Sequence, residues 1–211
     1  MVIALPKGRI AQEVLSLFSQ LWGEELQFPG RKLVLERNGF KFLNVRNWDV
    51  PIYVEQGVAD LGVVGLDVVE ELGSEVFRLL DLGLGRCRVS IAGPVGVEYR
   101  ELFRQKGELK IATKLVNLTR RYFEQEGVPV EIIKLNGSVE LAPLVGLSDF
   151  IVDIVETGAT LKSNGLEEKE SILHSSVQLI GNPTSFWVNR REIGEVVTAI
   201  ERALQRKRGG D

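Results

Sequence analysis

Residues 153–161 read Asp-Ile-Val-Glu-Thr-Gly-Ala-Thr-Leu. Two carboxylates, Asp153 and Glu156, stand just before a turn of small and hydroxylated residues, Thr157, Gly158, Ala159 and Thr160. Such a turn at the start of a helix leaves backbone N–H groups unpaired at the positive end of the helix dipole, which makes an anion cradle. A phosphate there would meet amides from Thr157 to Thr160 and two hydroxyls, while Asp153 and Glu156 would accept hydrogen bonds from sugar hydroxyls or hold a phosphate-bound Mg²⁺. The competing reading is a Thr-capped helix that binds nothing.

Two further stretches put cations where α/β proteins bind ligands, at the carboxyl ends of strands. Leu5-Pro6-Lys7-Gly8-Arg9-Ile10 follows a first apolar run, and Arg46 follows the run ending at Val45. Neither has the spacing of a P-loop or of a dinucleotide-binding fingerprint, and a solvated basic turn is the plain alternative for Lys7–Arg9. Asp49 and Asp67 read as helix caps. Ser138 reads as the cap of a helix over 138–146, with Glu140 in its first turn. The lone Cys87 cannot form an intrachain disulfide and reads as a buried strand residue. The lone His174 has no partner residues for a metal site or a triad and reads as structural or exposed.

The elements that must position these residues follow from periodicity. Residues 2–5 form a strand, and 10–22 a helix with Ile10, Val14, Leu17 and Leu21 on one face, closed by Gly23. Asn38-Gly39 between two apolar-rich runs predicts a hairpin. A short helix with Pro51 in its first turn, a buried strand over 60–65 and a helix over 67–73 complete a first α/β series. A second series runs from the strand around Cys87 through helix, strand, helix, strand, a helix opened by Ser138, and a strand at 149–155. In that last strand Phe150, Ile151 and Val152 are apolar without alternation, as in a strand buried on both faces, and it is expected to end near Asp153. Leu161 and Lys162 lie in a short helix that Gly165 closes. Residues 170–183 read as one or two strands, and 191–209 as an amphipathic helix with Ile193, Val197, Ile200 and Leu204 in line, fraying over 205–211.

The composition is that of a globular chain: 211 residues, 44% hydrophobic, 26% charged, formal net charge −3. That balance argues against a nucleic-acid binder with a broad basic surface. No apolar run approaches the ~20 residues of a spanning helix, and the N-terminus lacks a basic region before its apolar run, so a cytoplasmic protein with no membrane contact is expected. The expected class is α/β in two lobes, each a mixed sheet flanked by helices, with domain I at 1–88 plus 181–211, domain II at 89–180, strands crossing between them and a substrate cleft at the junction.

Taken together, Ala4–Ile10, residues 45–71, 135–166 and 179–186 resemble the ATP phosphoribosyltransferase family in order and spacing over essentially the whole chain. The stretch from Gly137 to Leu161 is its most specific part. The resemblance implies a type II periplasmic-binding-protein-like fold and Mg²⁺-dependent transfer of a 5-phosphoribosyl group from phosphoribosyl pyrophosphate (PRPP) to N1 of ATP, releasing pyrophosphate, in the first step of histidine biosynthesis. Carried over by position, Asp153, Glu156, Thr157, Gly158, Ala159 and Thr160 would bind PRPP. Lys7, Gly8 and Glu140 would bind ATP, and Arg9 and Arg46 would act on the leaving pyrophosphate, because a guanidinium meets phosphate oxygens in a bidentate way. The Mg²⁺ would be held mainly by substrate phosphates rather than by protein side chains. The length resembles the family's short form, a homodimer within a hetero-oligomer that includes a regulatory subunit resembling histidyl-tRNA synthetase.

Two rivals stand beside this reading. A non-catalytic small-molecule binding or effector-sensing domain of the same two-lobed architecture would be expected to carry a signal peptide or a DNA-binding helix-turn-helix. A salvage phosphoribosyltransferase would be expected to have two adjacent acids before its Thr-Gly turn, whereas Ile154 and Val155 separate Asp153 from Glu156 here.

Overall fold

The computed structural model describes residues 1–208, and the side chains of 1–206. Of the expected frayed tail, residues 209–211 lie outside the described residues. Two compact units share the chain: Met1–Val69 with Gly73–Gly85 and everything from Ser176, and Arg86–Ser175 with the three residues Glu70–Leu72.

The first unit has a six-stranded sheet in the order β2-β3-β1-β4-β11-β5. Its strands are β1 (Val2–Pro6), β2 (Val34–Arg37), β3 (Phe40–Val45), β4 (Leu61–Gly65), β5 (Phe77–Asp81) and β11 (Val177–Gly181). β1 runs parallel to β3 and β4, and β2, β5 and β11 pair antiparallel, so the sheet is mixed. Ile3 and Leu5 of β1 join a cluster under α1 (Arg9–Trp22) and α9 (Arg190–Arg208), while Ala4 faces the opposite side with Val50 and Val54 of α2 (Val50–Glu55) and Val68 of α3 (Leu66–Leu72). Both faces are covered, which is why β1 shows no apolar–polar alternation. Asn38 and Gly39 both have positive φ, 51° and 77°, as the two central residues of a tight type I′ hairpin require. The helix over 9–22 ends at Gly23 in the left-handed conformation, as expected.

The second unit repeats the plan with five strands in the order β10-β6-β9-β7-β8. They are β6 (Cys87–Pro94), β7 (Leu109–Thr113), β8 (Val130–Lys134), β9 (Phe150–Val155) and β10 (Leu166–Ser175). β7 is parallel to β8 and β9, and β6 is antiparallel to β9 and β10. One face buries Ile91, Ile111, Phe150 and Val152 with Tyr99 of α4 (Tyr99–Lys106) and Phe123 of α5 (Val116–Gln125). The other buries Ala92, Ala112, Ile151 and Val155 with Ala142 of α6 (Leu141–Leu144) and Leu161 of α7 (Ala159–Ser163). Glu71, on the last turn of α3, accepts hydrogen bonds from the Asn117 and Leu118 amides at 2.9 and 2.8 Å, capping α5 with a buried carboxylate.

Several local expectations give way to tertiary context. The boundary expected at 180–181 falls inside β11, which pairs along its length with β4 and β5, so the first unit resumes at Ser176. β9 spans Phe150–Val155, which bears out the strand expected over 149–155 and passes the end expected near Asp153, because its antiparallel pairing with β6 runs on to Arg88↔Val155. The helix expected over 138–146 is the single turn of α6: Ser138 sits at φ 47° instead of capping it, Glu140 precedes it, Pro143 lacks an N–H, and Gly146 at φ 74° leaves the helical region. Asp49 makes no capping hydrogen bond, and Asp67 lies inside the first turn of α3 behind Gly65 at the cap. Cys87 is half-buried and His174 exposed. A further helix, α8 (Pro183–Val188), is capped by Asn182, whose Oδ1 accepts from the Ser185 amide at 2.9 Å. No helix among the described residues is long and apolar enough to cross a membrane.

Candidate active site

The turn between β9 and α7 is built on Gly158, which stands at the helix cap with φ 80°, a left-handed conformation that favours glycine. Thr157 does not cap by side chain; instead its Oγ1 accepts from the Ala159 amide at 3.3 Å. Lys162 N–H donates to the Gly158 carbonyl at 3.1 Å, Ser163 Oγ to the Ala159 carbonyl at 3.0 Å, and Asn164 Nδ2 to the Thr160 carbonyl at 2.9 Å. Leu161 anchors this short helix in the cluster formed with Ile151 and Val155.

Asp153 lies between Ile151 and Val155 on β9, so it points to the face covered by α6 and α7. That face holds a pocket of about 410 Å³ lined by residues 153–161, Glu140 and Lys114. All six residues expected to bind PRPP, Asp153, Glu156, Thr157, Gly158, Ala159 and Thr160, therefore line one cavity within the second unit. Hollows of about 700 Å³ along α1 and about 850 Å³ beside α9 are larger, but the first has no cation in its lining and the second is formed by one helix alone.

The turn is fastened from behind. Arg88 on β6 donates through Nη1 to the Glu156 carbonyl at 3.2 Å, while its Nε and Nη2 donate to the two carboxylate oxygens of Glu168 on β10. Ser90 Oγ also donates to Glu168, at 2.7 Å. The hydrogen bond from Arg88 holds the Glu168 carboxyl below the usual glutamate range against the opposing effect of burial, with Ser90 and the charge of Arg88 adding to it. A carboxyl depressed in the folded state contributes stability that is complete above its unfolded pKa, about 4.3, and is lost as pH falls through the lower folded value. Glu168→Gln should therefore be less stable than the parent at neutral pH, with the gap closing on acidification below about pH 4; urea unfolding across pH 7 to 3 measures it, and a constant gap would refute the linkage.

The expected cations Lys7, Arg9 and Arg46, and Gly8 between the first two, fall in the first unit. Lys7 N–H donates to the Val45 carbonyl at 2.8 Å, just beyond the register pair Pro6↔Val45, so the loops after β1 and β3 leave the sheet side by side. Gly8 has φ 107°, with open space where a Cβ would stand. Arg9 lies 3.5 Å from Glu13, and Arg46 is exposed with no ionic partner among the described residues. Glu140, grouped with Lys7 and Gly8 by the family resemblance, belongs to the second unit and lines the pocket of the turn.

Residues 46–202 match the family model for ATP phosphoribosyltransferase. The chain belongs to the ATP phosphoribosyltransferase family. A relative of that name from Sulfurovum sp. (strain NBC37-1) is 50% identical over 206 residues, 97% of this chain and 98% of the relative. The solved ATP phosphoribosyl transferase (HisG:HisZ) complex from Thermotoga maritima includes a chain that is 35% identical and superposes with a TM-score of 0.85, covering 98% of this chain and 99% of that one. The periplasmic aliphatic sulphonate binding protein SsuA from Escherichia coli, 14% identical, covers all of this chain and 74% of its own with a TM-score of 0.62, a likeness of fold alone. Family membership makes this chain a pentosyltransferase with two periplasmic-binding-protein-like lobes.

Lys114, Arg88 and Glu168 escaped the sequence reading. Lys114 carries the same signal as Lys7 and Arg46, a cation one residue past an apolar strand, by which it could have been found. Arg88 and Glu168 leave no such trace, because they meet only through the antiparallel pairing of β6 with β10.

Proposed function

We propose a division of labour for the reaction of this family, transfer of the 5-phosphoribosyl group of PRPP to N1 of ATP at the start of histidine biosynthesis. The turn at 156–160 takes the ribose 5-phosphate, and Asp153 and Glu156 meet the ribose hydroxyls. Arg9 and Arg46 meet the pyrophosphate, while Lys7 and Gly8 meet ATP. Glu140 also belongs to the ATP contacts: N1 must come within bonding distance of the anomeric carbon, so a group beside the ribose can reach the base. The observation that carries this reading is the joining, in one pocket, of the glycine-started turn with Asp153, Glu156 and Glu140.

The bond from the anomeric carbon to pyrophosphate breaks with its electron pair leaving on oxygen, and the N1 lone pair forms the new C–N bond. N1 needs no base to expose that pair, so the demand on the protein is for positioning and for fixed charge facing the leaving group. Mg²⁺ would fit these residues as a phosphate-borne ion, for Asp153 and Glu156 line the pocket and supply the one or two carboxylates such an ion uses. When bound, Mg²⁺ neutralises charge on the diphosphate.

We assign the chain to the cytoplasm, to a homodimer, and to a hetero-oligomer with a separate regulatory subunit resembling histidyl-tRNA synthetase. The 35% identical Thermotoga maritima chain, solved as a HisG:HisZ complex, supports the regulatory partner.

Thr160→Val keeps side-chain shape and removes the hydroxyl at the phosphate turn. It should weaken PRPP binding roughly tenfold with the fold intact, the size of a lost hydrogen bond to a charged group. Calorimetric titration with PRPP, beside the ultraviolet change on alkylation of adenine N1, checks this. Unaltered PRPP affinity would remove Thr160 from the site.

A further inference from the structure

The pocket of the phosphate turn has an unbalanced lining. Among the described residues that line it, Lys114 is the single cation beside three acidic residues, Glu140, Asp153 and Glu156. A polyanionic substrate entering such a cavity would be repelled unless the ammonium lay against it.

Strand register decides where that ammonium sits. β7 and β9 run parallel in the register Ile111↔Phe150, Ala112↔Ile151 and Thr113↔Val152, and Lys114 and Asp153 each follow directly on that last pair. Alternation places both on the face of Ala112 and Ile151, the face of the pocket. Thr113 pins this register: its buried Oγ1 donates to the Val152 carbonyl at 2.7 Å and accepts from the Leu115 amide at 2.8 Å, so the chain turns away directly after Lys114. Lys114 Nζ stands 3.2 Å from Asp153 Oδ1, a buried oxygen that receives no well-aligned hydrogen bond. The pair is thus an electrostatic tether rather than a directed bond, and a phosphate oxygen of the substrate can take the carboxylate's place beside Nζ with no aligned hydrogen bond lost.

We propose that Lys114 is a PRPP-binding residue whose ammonium contacts phosphate oxygens of the substrate, with Asp153 holding it toward the pocket until substrate arrives. The inference rests on the assignment of the 156–160 turn to PRPP. On binding, a phosphate oxygen takes the place of Asp153 Oδ1 beside Nζ. The released carboxylate is then available to a ribose hydroxyl or to a phosphate-borne Mg²⁺. One exchange of partners couples recognition of the anion to recognition of the sugar.

The test is calorimetric titration of the full chain with PRPP and Mg²⁺, and separately with ATP, for the parent, Lys114→Gln, Lys114→Arg and Thr160→Val. Lys114→Gln should weaken PRPP binding roughly tenfold to a hundredfold, leave ATP affinity in place and flatten the salt dependence of PRPP binding. Lys114→Arg, which keeps the charge, should recover part of the loss. PRPP affinity unchanged in Lys114→Gln but reduced in Thr160→Val would remove Lys114 and leave the turn assignment standing. Affinity unchanged in both would fell the turn assignment and this inference with it. Parallel loss of PRPP and ATP binding, or a Lys114→Gln chain that does not fold, with no recovery in Lys114→Arg, would mark a structural residue and overturn the proposal.

Discussion

Arg46→Ala should lower turnover roughly a hundredfold to a thousandfold, the range seen when one preorganised donor to developing negative charge is removed, while ATP affinity changes little. The backbone at Arg46 is set independently of its side chain: φ −69° and ψ 148° lead out of β3, and the Arg46 carbonyl accepts from the Asp49 amide at 2.9 Å to open the turn Asn47–Asp49. The exposed guanidinium has no ionic partner among the described residues, so truncation leaves no buried charge and should shift stability by no more than about 0.5 kcal/mol. An effect on the rate is then an effect on chemistry. Arg46→Lys keeps the charge but not the planar fork, and should recover only part of the rate. Steady-state kinetics with each substrate varied settles the assignment. A rise confined to the KM for ATP, with kcat preserved, would move Arg46 to the other substrate.

Large effects on stability are expected where Gly93 on β6 meets Phe150 on β9. A Cβ there would stand 2.2 Å from Cδ1 and 2.6 Å from Cε1 of Phe150, a fully buried ring that also packs edge-on to Tyr99 at 6.2 Å. The ring is locked between strands and α4, so it cannot withdraw, and Gly93→Ala should destabilise the second unit by about 3 kcal/mol through overpacking. Phe150→Ala should cost about 3–5 kcal/mol, because it removes the ring and leaves a cavity beneath the strand that carries Asp153. Combined, the two changes relieve each other: the new methyl occupies space the ring has left, so the double variant should be more stable than the sum of the single losses predicts by at least about 1 kcal/mol. Denaturant unfolding of the four proteins measures that coupling. Strict additivity would mean that Gly93 is constrained by something other than this ring.

Much of the order of elements was legible because local chemistry and tertiary need agree. Asn38-Gly39 can turn a hairpin by itself, Gly23 ends α1 by backbone freedom, and Phe150–Val152 has the unalternating apolarity of a strand covered on both faces. The reading failed where the deciding partner is distant. The exception is local: α6 shrank to one turn because Pro143 and Gly146, inside the segment itself, outweigh the apolar spacing around them. β11 went to the other unit because β4 and β5 bid for its hydrogen bonds, which no local pattern reveals. β9 outlasted Asp153 because β6 supplied a partner as far as Val155.

The site divides in the same way. Residue types by themselves determined that 153–161 combines carboxylates with an amide-rich turn, since glycine and threonine chemistry at a helix start depends on neighbours in the chain. They also determined that cations follow β1 and β3, and the family resemblance rests on those same residues. Only the tertiary structure decided that Glu140 lines the cavity of the turn, that Arg88 and Glu168 brace it from behind, and that Lys114 faces Asp153. Those contacts join segments far apart in the chain, which pairing of the strands brings together, and that pairing is fixed by burial and by hydrogen bonds between the segments.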